Sequence, residues 1–122
     1  MSYVEGSIWT LTFVKTKPGQ TDDYFKSISA SLKPAYEEAK KQKVILNYKI
    51  LSTDVSAEDR DFNVIIMVEY PNMAALESSR ERIEPILNKI IGSATARRDL
   101  VTKRQDVRDI LATKMMREIW LK

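Results

Sequence analysis

Between Phe62 and Tyr70 the chain reads Phe-Asn-Val-Ile-Ile-Met-Val-Glu-Tyr, a run dominated by β-branched and aromatic residues and closed on both sides by turn formers. Its length suits a strand, because a helix needs a longer window of apolar periodicity. A strand with one covered face alternates apolar and polar residues, whereas Val64 to Val68 are apolar without a break. Both faces of this strand therefore have to be covered, and that demand limits what the rest of the chain can build.

Ile8 to Val14 alternates with period two, placing Trp9, Leu11 and Phe13 on one face and Ile8, Thr10, Thr12 and Val14 on the other, which predicts a first strand. Lys17-Pro18-Gly19-Gln20 has turn chemistry, after which Thr21 or Asp22 is placed to cap a helix. Phe25, Ile28, Leu32, Tyr36 and Ala39 form its apolar stripe, and it is expected to run to about Gln42 with a kink or break at Pro34. Val44 to Leu51 alternates again and predicts a second strand, joined by the polar loop Ser52 to Asp61 to the Phe62–Tyr70 strand as its antiparallel neighbour. Asn72 is a good N-cap for a second helix with Leu76, Ile83, Leu87 and Ile90 on its buried side, interrupted by Pro85 and closed by Gly92. Ser93 to Leu111 fits either a third, more exposed helix or a loop with one short helical piece, and Lys114 to Leu121 reads as the closing strand.

The resulting order, β-α-β-β-α-(α)-β, is that of an α+β ferredoxin-like plait, a four-stranded antiparallel sheet with helices on one face. Helices on one side leave the second face of the Phe62–Tyr70 strand bare. The simplest cover is another copy of the same sheet, so the sequence predicts a two-fold homodimer packed sheet to sheet as an α/β barrel. The 122 residues are one domain's worth, spanning 1–122, and 3 Gly with 4 Pro leave little room for linkers.

Two residue counts restrict the chemistry. With no cysteine, disulfides, thiolate nucleophiles and Cys-ligated metal centres are excluded. With no histidine, Ser-His-Asp triads, HExxH zinc sites and His-ligated haem are excluded too, so any catalysis is left to carboxylates, Lys, Tyr, Ser or a bound cofactor. A net charge of +3 is too mild to imply nucleic acid without a clustered basic face. No signal-peptide core and no membrane-length apolar run are read from the sequence, which makes cytoplasm the default compartment and leaves an exported, trimmed form open.

Several segments carry a resemblance to a known superfamily. Lys-Thr-Lys-Pro-Gly-Gln (Lys15 to Gln20), Asp-Asp-Tyr-Phe (Asp22 to Phe25), Glu-Ala-Lys-Lys-Gln (Glu38 to Gln42), Val-Ile-Leu-Asn-Tyr-Lys-Ile (Val44 to Ile50) and Asp106 to Leu111 before the last strand resemble the dimeric α/β-barrel superfamily over nearly the whole chain. That superfamily spans cofactor-free and haem-degrading monooxygenases, lactone isomerases and stress-responsive domains. The resemblance implies a dimer with a ligand cleft between helices and sheet. Its haem-degrading branch relies on an Asn, a Trp and a His, and this chain lacks the last. Its quinone-forming branch uses Asn, Trp and Tyr around an electron-rich aromatic substrate, residue types that Asn47, Trp9, Trp120, Tyr24, Tyr36 and Tyr48 supply.

Trp9, Tyr36, Tyr48 and Trp120 are expected to point inward, either lining an apolar cleft or filling the core, the latter being the ordinary role of such rings. Asn47, Lys49, Arg117 and Glu118 interrupt apolar strand faces, either as polar groups aimed into a pocket or, for Arg117, as partner of Glu69 or of a second subunit. Asp54, Glu58, Asp59 and Asp61 match no EF-hand spacing, so a solvated loop is expected and no metal site. Arg97, Arg98, Lys103, Arg104 and Arg108 form a basic run interleaved with Asp99, Asp106 and Asp109, which gives nucleic-acid binding through Arg97–Arg108 only a minor place. The leading expectation is a homodimer holding a small apolar or aromatic molecule, as a cofactor-free oxygenase or isomerase or as a simple binder. The alternative is an interaction or assembly protein whose cleft is filled by its own side chains.

Overall fold

The computed structural model describes residues 2–53 and 61–122, which form β1 (Tyr3–Thr16), α1 (Thr21–Lys41), β2 (Asn47–Ser52), β3 (Val64–Tyr70), α2 (Met73–Ile90), α3 (Ala94–Arg104) and β4 (Arg108–Leu121). The four strands make one antiparallel sheet in the order β2-β3-β1-β4. This is the ferredoxin-like plait that the element order predicts. Among the described residues, no helix is long and apolar enough to cross a membrane.

The alternation of β3 decides which way everything faces. Val64, Ile66, Val68 and Tyr70 are buried beneath the helices, and their cross-strand partners Val14, Thr12, Thr10 and Ile8 share that side. Ile65, Met67 and Glu69 point the other way, beside Phe13, Leu11 and Trp9, onto a face that no helix covers. Two contiguous cores form under the helices, one around Ala35, Ala39, Val44, Ile45, Val68, Tyr70 and Ile86, the other around Val14, Tyr24, Ile28, Val64 and Ile66.

Several boundaries differ from the sequence expectation, each for a physical reason. The second strand begins at Asn47 instead of Val44, because Lys43 turns the chain at φ 60° and the Val44 amide donates 2.8 Å to the Ala39 carbonyl. Val44 and Ile45 are consequently both 1% exposed, neighbours plugging the end of α1 where strand alternation would have exposed one of them. The third strand starts at Val64, since Asn63 turns its side chain to the Thr16 amide and hydroxyl at 2.9 and 2.7 Å. Neither Pro34 nor Pro85 breaks its helix.

Thr21 opens α1 but does not cap it. The N-cap is Gln20 without a side-chain bond, and the Thr21 hydroxyl pairs instead with that of Thr16 at 2.7 Å. Asn72 caps α2 as expected, accepting from the Ala75 amide at 2.9 Å, and Gly92 follows that helix at φ 113°, a conformation suited to glycine. Within Ser93 to Leu111 a helix, α3, runs from Ala94 to Arg104, and the segment from Arg108 on is the first part of β4. Val107 packs on the second core, and Ile110 lies in the strand. The closing strand thus starts at Arg108, six residues before the Lys114 read from alternation, because a bulge near Phe13/Val14 breaks its period. The β2–β3 loop expected over Ser52 to Asp61 falls largely on residues 54–60, which lie outside the described residues together with Asp54, Glu58 and Asp59.

Candidate functional site

A cavity of about 290 Å³ opens between α1 and the edge strand β2, on the helix side of the sheet. Phe25, Ile28, Leu32, Tyr36, Tyr48 and Ile50 supply an almost wholly apolar lining, with Ser29 and Lys33 as its polar members. The α1 residues among these recur at three- and four-residue spacing along one flank of the helix, and Tyr48 and Ile50 alternate onto the same side of β2. The rings of Tyr36 and Tyr48 meet at 5.1 Å between centroids with a 43° tilt, forming one wall.

Both phenols are held in the protonated form well past neutral pH. Burial pushes Tyr36 up to about 12, with Tyr70 and Tyr24 adding to the shift and Arg104 opposing it. Desolvation likewise pushes Tyr48 up to about 12, assisted by Glu37, whose carboxylate accepts the Tyr48 hydroxyl at 2.5 Å. The Tyr48 hydroxyl is thereby engaged, and both residues offer the cavity ring surface. Chemically the site can hold an apolar or aromatic body and leave a polar end near Ser29 and Lys33.

The sequence candidates fall into three groups. Tyr36 and Tyr48 line the cavity. Tyr24 is 3% exposed and lies next to it in the core, its phenol raised by burial against the opposing fields of Arg108 and Arg104. Trp9, Asn47 and Trp120 sit on the opposite, helix-free face, so the structure does not bring them together with Tyr36. There Trp9 Nε1 donates to Glu118 Oε1 at 3.2 Å, Lys49 Nζ lies 5.6 Å above the Trp9 ring, and Ser7 donates to Glu69 at 2.5 Å. Trp120 is 61% exposed where an inward position was expected, because β4 runs past the end of β3 with no helix above it. Arg117 does not reach Glu69. It stands 3.9 Å from Glu5 and donates to the Gly6 carbonyl at 3.2 Å.

Sequence reasoning placed Phe25, Ile28, Leu32 and Tyr36 on one stripe but missed Ser29, Lys33 and Ile50 as lining, since the open edge of β2 is a tertiary fact. The basic run is not one face. Arg97 grips Glu84 through two bonds of 2.5 and 3.1 Å, while Arg104 and Arg108 turn into the protein. No group of three or more acidic residues among the described residues is arranged to hold a metal ion.

No family model matches the chain, and no curated protein matches it. Solved structures do. HapK from Hahella chejuensis superposes with a TM-score of 0.59 at 7% identity, covering 91% of each chain. The protein SO0527 from Shewanella oneidensis gives 0.58 at 8% identity over 97% of this chain and 96% of that one. A dimeric ferredoxin-like protein from an uncultured marine organism gives 0.51 at 19% identity over 95% of each. The chain has the ferredoxin-like fold. At these identities the likeness is one of architecture, and function has to be argued from the site.

Proposed function

We propose that this protein binds a small, mostly apolar or aromatic molecule in the cavity between α1 and β2, and that it does so as a sheet-to-sheet homodimer. The observation that carries the binding reading is the cavity itself: about 290 Å³ with an apolar lining and few polar groups, just below the roughly 300–1,000 Å³ of ligand pockets. A molecule of one or two rings fits that space. Tyr36 and Tyr48 keep their protons at neutral pH, so they serve as packing surfaces and are poorly suited to act as bases there. This favours a binder over the cofactor-free oxygenase or isomerase reading.

The dimer is supported by the helix-free face, which presents Leu11, Phe13, Ile65, Met67, Leu51 and Met116 together. Leu51 and Met116 are 51% and 55% exposed, and a face of this kind marks an association surface. The third structural neighbour is itself described as dimeric.

Thermal-shift measurements against indoles, naphthols and quinols test the binding reading, with Ser29→Trp as the control that fills the cavity from its exposed rim. A ligand at a hundred times its Kd contributes about 2.7 kcal/mol and raises the melting temperature of the wild-type chain, and the Ser29→Trp chain loses that response. A panel that shifts neither protein contradicts the proposal and leaves the assembly-protein reading in its place.

A further inference from the structure

Arg104 and Arg108 are the buried charged residues of the described chain, each 8% exposed, and both are cations. Arg104 ends α3 and reaches across to α1, where its Nε donates to the Ser27 hydroxyl at 3.0 Å. One of its terminal nitrogens serves the Ser31 hydroxyl and the Ser27 carbonyl, and the other has no hydrogen bond to a described residue. Arg108 opens β4 opposite Thr16, and its positive charge acts on the Tyr24 phenol, opposing the rise that burial causes there. Every one of these partners is neutral. None of the ion pairs among the described residues involves either arginine.

Two like charges removed from water beside neutral groups are costly unless an opposite charge joins them. The strain registers on Arg104, which burial lowers below the ordinary guanidinium range, Tyr24 opposing and Arg108 adding to the effect. The donors left over suit an anion. The Ser27 hydroxyl accepts from Arg104 and retains its own proton to give, and the second terminal nitrogen of Arg104 makes no hydrogen bond to a described residue. Guanidinium forks match the planar or tetrahedral oxygens of carboxylate and phosphate better than any other side chain.

We propose that Arg104 and Arg108, with the hydroxyls of Ser27 and Tyr24, form a binding site for a single oxyanion, the phosphate or carboxylate group of a ligand taken from solution. The residual exposure of both arginines leaves them within reach of solvent. The site uses Tyr24, Ser27 and Ser31 on α1, none of which lines the apolar cavity, so it stands or falls apart from the small-molecule reading.

Titration calorimetry of the full chain with inorganic phosphate and with benzoate, at constant ionic strength and with chloride as the control, tests it. The expected result is one saturable site per chain for at least one of the two probes. The tighter probe tells a phosphate ligand from a carboxylate one. Arg108→Gln weakens that binding about tenfold or more, and Ser27→Ala weakens it to a lesser degree. Should Arg108→Gln fail to fold, amide chemical shifts of the wild-type chain decide: perturbation by the probe centred on Tyr24, Ser27, Ser31 and Arg108 supports the site, and perturbation elsewhere overturns it. Absence of saturable binding by the wild-type chain, or binding unchanged in folded Arg108→Gln and Ser27→Ala chains, also overturns it.

Discussion

Tyr36 belongs at once to the cavity wall and to the buried polar centre of the helix layer, and its ionisation ties both to stability. Its folded value of about 12 lies above the ordinary 10.0, so at pH values between the two the native state retains a proton that the unfolded chain releases. The stabilisation is therefore whole below pH 10 and is lost as pH rises through 12. For the partly buried Tyr36 the loss is on the order of 3 kcal/mol. Tyr48 titrates in the same window. Urea unfolding across that range is expected to show the decline, and Tyr36→Phe is expected to flatten it. Tyr36 and Tyr48 were legible as ring-bearing members of apolar stripes. Arg104 and Arg108 were not, because a charged residue in a mixed run looks solvated until Ser27, Ser31 and Tyr24 arrive from another element.

At the scale of elements, capping and plugging explain more than propensity does. Asn72 holds the first turn of α2 through the Ala75 amide, so Asn72→Ala is expected to cost about 1 kcal/mol and Asn72→Ser to restore most of it, as read by urea denaturation. Ile45 and Leu46 are adjacent, yet one is 1% and the other 45% exposed. Ile45→Ala is expected to cost about 2–5 kcal/mol and Leu46→Ala about 0.5 kcal/mol or less, a contrast that the same measurement checks. Alternation alone had assigned both residues to a strand. The turn at Lys43 that instead folds Val44 and Ile45 under α1 carries no sequence signal, since a left-handed lysine is written like any other. The existence and type of the four strands and first two helices were readable from period and turn chemistry. The start of β4 was not, because the bulge near Phe13/Val14 shifts its phase.

For the whole molecule, the uninterrupted apolar run of β3 set the expectation of a second cover, and the structure leaves Ile65 and Met67 only half-buried on a face without helices. The arm formed where Tyr3 to Glu5 pairs with Ile119 to Leu121 extends past β3, with Trp120 and Leu121 61% and 82% exposed, and a two-stranded ribbon has little stability of its own in water. Both features agree with the second copy proposed above as the cover. Placing a charge in that face by Met67→Lys is expected to leave the chain folded but to separate the subunits, because a lysine desolvated between two sheets lacks a partner. Light scattering on the eluting wild-type protein at micromolar concentration tests the dimer most directly. A mass twice the 14.1 kDa of one chain, halved by Met67→Lys, is the expected result, and a stable 14.1 kDa species for the wild type contradicts it.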